Sequence, residues 1–261
     1  MSVSLIITTY NRPDALFLVL SSVLCQTVLP NEVIVADDGS DNATKNCIDE
    51  FRKLIRVEVI HSWQNDKGFR VARSRNKAIS KSSSDYIVLI DGDVILHNKF
   101  IEDHIYHSKS GFFVQGSRAL LSEFATKKAF TEKNIKFSFF SKGIRNRKNS
   151  LYSLFLAKIF TRKKLKLKKV RTCNIAFFKN DAININGFNN SIEGWGREDS
   201  EFVNRLTNSG IICKVVHFNL IQFHLWHHES NREFLPKNDE ILKTSIDKKL
   251  EWCDSGLNKY L

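Results

Sequence analysis

The sequence has no stretch long enough to cross a membrane: none of its 261 residues belong to an unbroken apolar run of the roughly 18 that a spanning helix needs. Nor does it open on a basic leader. Ser2 to Thr9 reach Asn11-Arg12-Pro13 too soon for a secretory signal, so a soluble, cytoplasmic chain is expected. Cysteine is sparse. The five residues Cys25, Cys47, Cys173, Cys213 and Cys253 are odd in number, scattered and without a Cys-x-x-Cys pair, which argues against a disulfide framework and against a thiolate zinc site. Acids are nearly missing from one segment. Residues 127–171 hold 16 Lys and Arg against Glu132 alone, a charge of +15, whereas the whole chain carries +12 and the remainder therefore about −3. The basicity belongs to one segment and not to the protein at large.

With 42% hydrophobic residues the chain can bury one substantial core. Its first hundred residues alternate short β-branched runs with helical periodicity, the pattern of βαβ units and a mostly parallel sheet with helices on both faces. Val3 to Thr8 reads as a buried strand. A helix should start at Pro13 and run through Leu16, Val19, Leu20, Val23 and Leu24. Glu32 to Ala36 is a second strand, ending in Asp37-Asp38-Gly39-Ser40, whose polar side chains can cap the helix through Cys47 and Phe51. Val57 to His61 is a third strand, Phe69 to Ser80 a helix, and Tyr86 to Ile90 a fourth strand that runs into Asp91-Gly92-Asp93. Further on, Phe112 to Val114 and Thr172 to Phe178 read as apolar strands, Glu198 to Thr207 as a helix, and Glu240 to Trp252 as a weaker one. Ligands in open α/β sheets collect beyond the carboxyl ends of the strands, so Thr8-Thr9, Asp37-Asp38 and Asp91-Gly92-Asp93 should converge on one site.

Two carboxylates flanking a glycine on a tight turn suit a hard divalent cation and a ribose or metal-bound water. An ordinary strand entering a turn can look the same. What distinguishes this chain is Glu193-Gly194-Trp195-Gly196-Arg197-Glu198-Asp199 a hundred residues later: glycines on either side of an indole permit a close backbone approach and leave an apolar face for a sugar ring.

Ser4-Leu5-Ile6-Ile7-Thr8-Thr9-Tyr10-Asn11-Arg12, Val35-Ala36-Asp37-Asp38-Gly39-Ser40 and Ile90-Asp91-Gly92-Asp93 resemble the family 2 glycosyltransferases of the GT-A fold, a Rossmann-like α/β architecture that binds nucleotide sugars. Gly194 to Asp199, continuing to Asn204-Arg205-Leu206, is similar to the carboxy-terminal half of the β-1,4-galactosyltransferases and chondroitin-polymerase-like enzymes. The resemblance covers roughly Ser2 to Glu229. It implies a UDP-sugar donor bound by Thr8, Tyr10, Arg12, Asp37, Asp38, Arg70, Arg75, Asp91 and Gly92, with Asp38 reading the uracil imide and Asp91 at the ribose. Arg73 and Asn76 belong to the same Gly-Phe-Arg…Arg-Asn pattern. It also implies Mn²⁺ or Mg²⁺ on Asp93 and on His224 and His227, where His224 replaces the methionine of a Met-x-x-His motif and so changes ligand softness. His228 is an alternative ligand.

Asp199 is the implied general base, at the start of a helix, with Glu198 and Trp195 at the acceptor. Retaining relatives carry asparagine at this position, so aspartate implies inversion. The implied division is one catalytic domain over residues 1–229, with a nucleotide-binding half at 1–118, a basic aromatic insertion at 119–171 and an acceptor half at 172–229, followed by a helical tail at 230–261.

The insertion interleaves its cations with Phe130, Phe137, Phe139, Phe140, Tyr152, Phe155 and Phe160. That mixture suits an anionic membrane surface, as an enzyme of surface-polysaccharide synthesis acting on lipid-linked glycan would need. It also suits nucleic acid, with phosphates on lysine and bases on the aromatics. A noncatalytic nucleic-acid-binding module is thus the competing expectation.

Overall fold

In the computed structural model the described residues are 1–164, 172–228 and 231–261. Twelve strands are defined among them: β1 Val3–Thr9, β2 Glu32–Asp37, β3 Glu58–Trp63, β4 Tyr86–Asp91, β5 Val94–Leu96, β6 Phe112–Gln115, β7 Ala119–Leu121, β8 Ile144–Arg145, β9 Arg162–Lys164, β10 Asn174–Phe178, β11 Ile212–Val215 and β12 Gln222–His224. The α-helices are α1 Pro13–Leu24, α2 Asn42–Arg52, α3 Val71–Lys81, α4 Phe100–His107, α5 Glu123–Glu132, α6 Leu154–Phe160, α7 Lys179–Asn184, α8 Glu198–Asn208 and α9 Leu235–Asp247.

Eight strands form a central sheet in the order β3-β2-β1-β4-β10-β6-β11-β9. The first four are parallel, β10 runs against both β4 and β6, and β11 lies parallel to β6. The parallel strands read as unbroken apolar runs because both of their faces are covered. Alternate residues go to opposite layers. Leu5, Ile7, Val33, Val35 and Val88 pack under α1 and α2 with Leu16, Val19 and Phe51, whereas Ile6, Ile34, Ile87 and Leu89 pack on the other face with Ala72 and Ile79 of α3 and with Phe202 and Leu206 of α8. Burying each such Leu, Ile or Phe contributes about 1.5–3 kcal/mol, and these two layers fix the strand ends that carry the site.

A second sheet, β5-β12-β7-β8, goes beyond the architecture expected from the sequence. Its strands are two or three residues long and draw partners from distant parts of the chain, so no local periodicity announces them. The basic segment is woven into both sheets. It gives β8 to the small sheet and β9 to the edge of the large one, paired antiparallel with β11. Its last stretch, residues 165–171, lies outside the described residues, as does the 229/230 boundary.

Local boundaries moved for identifiable reasons. Asp41, not the Asp37–Ser40 turn, caps α2 by accepting from the Ala43 amide at 3.0 Å; Asp37 instead accepts from the Gly39 and Ser40 amides within its own turn. Helix α3 begins at Val71 and not at Phe69, because the Arg70 amide is committed to Asp38. Helix α9 lies several residues upstream of the expected Glu240 to Trp252. Pro236 sits in its first turn, where a missing amide hydrogen costs nothing, and Lys249 adopts a left-handed φ of 49° just past its end.

Candidate active site

Register brings the polar strand ends together. Thr8 of β1 pairs with Asp91 of β4, and Thr9 with Asp37 of β2. The Gly92 amide donates to Thr8 O at 2.7 Å, and a Cβ on Gly92 would meet that oxygen at 2.8 Å. Only glycine lets the Asp91-Gly92-Asp93 turn fold this closely onto β1.

Arg75 of α3 organises the acids. Its side chain is 4% exposed, and its guanidinium donates to Asp91 at 3.2 Å, Asp199 at 3.1 Å, Glu198 at 3.4 Å and Thr8 Oγ1 at 3.3 Å. A cation this deep is tolerable only when its donors are filled, and here three carboxylates fill them. The strand-end acid and the acids that open α8, a hundred residues apart in sequence, are thereby held by one side chain. Thr172 completes the grip on Asp199, donating from its amide to Oδ2 at 2.9 Å and from its hydroxyl to Oδ1 at 2.6 Å. Burial, reinforced by the Asp199 carboxylate, pushes Glu198 up to about 8, with Arg75 opposing. Glu198 is thereby biased toward its protonated form near neutral pH.

Asp93 forms the second centre. The small sheet makes it: β12 pairs with β5 so that His224 faces Val94, and the Leu225 amide donates to Asp93 O at 2.9 Å. His224 Nε2 comes to 3.5 Å and His227 Nε2 to 3.4 Å from the Asp93 carboxylate, and one ligand atom from each of the three residues lies within 4.8 Å of the others. His227 Nδ1 meets the His228 carbonyl at 2.7 Å, which turns Nε2 toward Asp93. The His228 ring stacks edge-on against Trp226 instead.

A divalent cation fits these residues. Asp93 Oδ1 is buried and accepts no hydrogen bond from the described residues. Burial pushes His224 down to about 4 despite the pull of Asp93, so its imidazole is neutral and has a lone pair to offer. Arg12 Nη1 donates to Asp93 Oδ2 at 2.7 Å, adding a positive charge at the same point.

The other residues expected at the donor, Tyr10, Asp37, Asp38 and Arg70, differ in openness. Tyr10 is exposed and donates to Asp66 at 2.9 Å. Asp37 is fully buried, with His61 Nε2 at 2.8 Å from Oδ2. Asp38 is also buried and receives the Arg70 amide at 2.7 Å and Gln64 Nε2 at 2.6 Å; burial raises its pKa above the usual carboxylate range. Both aspartates are thus buried and committed to protein partners, and Arg70 contributes its backbone to holding Asp38.

Trp195 is 39% exposed, and the Arg232 guanidinium lies 5.1 Å from its ring centroid, within cation–π range. The glycines beside it are needed: Gly194 and Gly196 have φ of 70° and 102°, and a Cβ on Gly194 would strike the Phe234 ring at 2.5 Å. Asn238 of α9, fully buried, donates to Glu193 O at 2.9 Å and Gly196 O at 3.0 Å. The chain after residue 230 thus clamps the loop that presents the indole. Thr172, Asn238 and Arg118, whose charge acts on Asp91 and His224, are site residues that sequence reading missed. Each is a single polar residue outside any motif, and the signal that finds them is long-range pairing.

The description "Glycosyl transferase family 2" matches residues 4–179. The chain belongs to glycosyl transferase family 2. A second description, "N-terminal domain of galactosyltransferase", matches residues 154–229. In this family 2 chain the first match supplies Arg75, Asp91 and Asp93, and the second supplies Glu198, Asp199, His224 and His227, so both centres are built across the two. Similar curated proteins include validoxylamine A glucosyltransferase of Streptomyces hygroscopicus subsp. limoneus, 31% identical over 38% of this chain and 22% of the relative. The chondroitin synthase of Pasteurella multocida is 23% identical over 83% of this chain and 24% of the relative. The chain spans about a quarter or less of the length of both. Among solved structures, S. aureus TarS aligns over 100% of this chain and 41% of its own, with a TM-score of 0.64 and 16% identity, and a TarS fragment in complex with UDP aligns with a TM-score of 0.63 at 15% identity. These likenesses establish the GT-A fold.

Proposed function

We propose that the protein is a metal-dependent inverting glycosyltransferase that moves a hexose or N-acetylhexosamine from a UDP-sugar to a hydroxyl of a surface-polysaccharide acceptor of the lipopolysaccharide, O-antigen or capsule kind. The observation that carries this reading is the four-way grip of Arg75 on Thr8, Asp91, Glu198 and Asp199, which sets a strand-end donor site beside a candidate base. The complex of a TarS fragment with UDP and the chondroitin and hyaluronan synthases among the relatives support a uridine diphosphate donor and a glycan acceptor. A nucleic-acid-binding module would have no use for the buried acid cluster.

Asp93, His224 and His227 would hold Mn²⁺ or Mg²⁺, which supplies neutralisation of charge on the departing diphosphate. Arg12, already at Asp93, is placed to add a second positive charge. Asp199 serves as general base. Thr172 and Arg75 fix its orientation, and among the described residues its Oδ2 receives a single donor, which leaves a lone pair for the acceptor hydroxyl proton. Glu198, protonated, donates a hydrogen bond to a sugar hydroxyl, and Trp195 offers its face to the acceptor ring. Attack by a hydroxyl on the side opposite the diphosphate inverts the anomeric carbon.

The basic segment supports attachment to an anionic membrane face. No helix among the described residues is long and apolar enough to cross a membrane, yet Leu154, Phe155, Ile159 and Phe160 are exposed in the same stretch of chain as Lys158 and Arg162 to Lys164. Apolar wedges among cations suit a peripheral, salt-sensitive association worth about 1 kcal/mol per basic residue near the surface. Binding to vesicles should require anionic lipid and fade with salt.

The test of the reaction is Mn²⁺-dependent transfer or hydrolysis of UDP-sugars, with Asp93→Ala and Asp199→Asn each expected to lose about 10²–10⁴-fold in rate. A product that keeps the α configuration of its donor by NMR would overturn the assignment of Asp199.

A further inference from the structure

Ser117 precedes Arg118, and on its other side the structure holds a cavity of about 290 Å³ lined by Ser117, Lys148, Asn149, Arg162 and His217, with Phe160 and Phe218 as apolar walls. No carboxylate lines it. Among the described residues neither Lys148 nor Arg162 forms an ion pair, whereas Arg12 and Arg75 at the acid cluster do. Burial lowers the His217 pKa, and Arg162, Lys164 and Lys148 lower it further, which registers a positive potential at the cavity.

The pocket is rigidly built. Phe218 and Leu220 both occupy the left-handed region, with φ of 64° and 55°, a conformation that costs a non-glycine residue about 1–3 kcal/mol and persists only where surroundings enforce it. Here buried Asp103 enforces it: one oxygen accepts Asn219 Nδ2 at 2.9 Å and Tyr152 OH at 3.1 Å, the other the Leu220 amide at 3.3 Å. The Ser153 amide donates to Phe218 O at 2.9 Å. The basic segment and the strained loop are thereby stitched together around the cavity.

The pocket also adjoins the reaction centre. Asn149 Nδ2 donates to Arg118 O at 2.9 Å. Asn174 Nδ2 donates to Ser117 O at 2.8 Å and Leu220 O at 2.9 Å, and Asn174 stands two residues after Thr172, which holds Asp199. Arg118 Nε is buried without a partner among the described residues, next to Ser117 of the cavity, and its charge acts on Asp91.

We propose that this cavity is a subsite for a phosphate group carried by the acceptor, held by Lys148 and Arg162 with Ser117, Asn149 and His217 as hydrogen-bonding partners, and that it sets the acceptor's register relative to Asp199. The volume accommodates a phosphate together with part of the sugar or polyol attached to it, against the Phe160 and Phe218 rings. The link to acceptor register rests on the transferase reading above; phosphate binding stands on the pocket alone.

The deciding experiment follows the histidine ring signals of the full chain by NMR during titration with inorganic phosphate at constant ionic strength. His217 should shift, and its titration midpoint should rise, because a bound anion stabilises the imidazolium. Lys148→Ala and Arg162→Ala should each weaken binding about tenfold. A His217 signal that does not respond to phosphate, or alanine variants that bind as the wild type does, overturns the proposal. In transfer assays the same variants should raise the acceptor KM and not the donor KM; a loss confined to the donor KM counts against the register role. If the wild type hydrolyses no UDP-sugar, the transferase reading fails and the phosphate titration still decides the pocket. Phosphatidic acid vesicles and soluble glycerol phosphate separate the carriers: response to vesicles alone identifies a lipid-linked phosphate, and equal response to the soluble ester a phosphate within a glycan or polyol chain.

Discussion

Arg75 Nη1 lies 3.1 Å from Asp199 Oδ1. The contact joins the first βαβ half of the chain to the helix that opens the second, and the Asp91 contact of the same guanidinium closes the triangle. Lysine cannot reproduce it, because one ammonium cannot present a planar fork to acids lying in different directions. Arg75→Lys is expected to lower transfer by about 10²-fold, as misplacement of a base costs. Arg75→Met leaves the acids Asp91, Glu198 and Asp199 without their buried partner, and is expected to destabilise the fold by about 3–5 kcal/mol. Rates at saturating donor together with urea unfolding separate the two effects.

The centre at Asp93 depends on the pairing of β12 with β5, and it predicts a selective response among three adjacent histidines. His224→Ala and His227→Ala should each weaken Mn²⁺ binding by about 10–100-fold, read as loss of the thermal stabilisation that Mn²⁺ and UDP confer together. His228→Ala should respond to Mn²⁺ as the wild type does, since its ring faces Trp226. Equal loss in all three would mean that the cation sits elsewhere on the loop.

The division between what could and could not be read in advance follows the range of the interactions. The parallel strands β1 to β4 announce themselves because each is an apolar run ended by turn residues, and Pro13 marks the start of α1. Glu198 is also where α8 begins. The candidate site was legible as three motifs. What joins them was not: β12 is three residues long and finds β5 across about half of the chain, and nothing in the spacing of Arg75 says which acids it will meet. The basic segment looks like an inserted surface element by composition, yet backbone pairing makes it part of both sheets. The last helix shows little amphipathic pattern, and its role rests on one buried amide, Asn238, that no periodicity reveals.

Helix α8 is anchored by a buried pair. Arg205 donates to both carboxylate oxygens of Glu201 at 2.7 Å, and to the carbonyls of Ile185 and Gly187, with essentially no exposure of either side chain. Arg205→Met strands the Glu201 charge and two carbonyls, so a loss of about 3–5 kcal/mol is expected in urea unfolding. Adding Glu201→Leu should recover a large part of that loss, because removing both members of a buried pair leaves no unpaired charge. A double variant as unstable as the single one would show that the carbonyl contacts dominate.

Glu198 gives the fold a pH dependence whose sign can be worked out. Its pKa in the folded chain, about 8, lies above the value near 4.5 of a free carboxyl, so between these limits the folded state binds more protons than the unfolded one, and stability falls as pH rises. Below both values the carboxyl is protonated in either state and contributes no slope. Above about pH 8 the full cost of burying the charge beside Asp199 is present, with Arg75 offsetting part of it. Glu198→Gln keeps the shape and removes the titration. The variant should therefore match the wild type in stability near pH 5 and exceed it by on the order of 2 kcal/mol near pH 9, measured by urea unfolding at the two pH values. A difference that is the same at both would mean that Glu198 is ionised throughout, and the hydrogen bond assigned to its proton would have to come from another group.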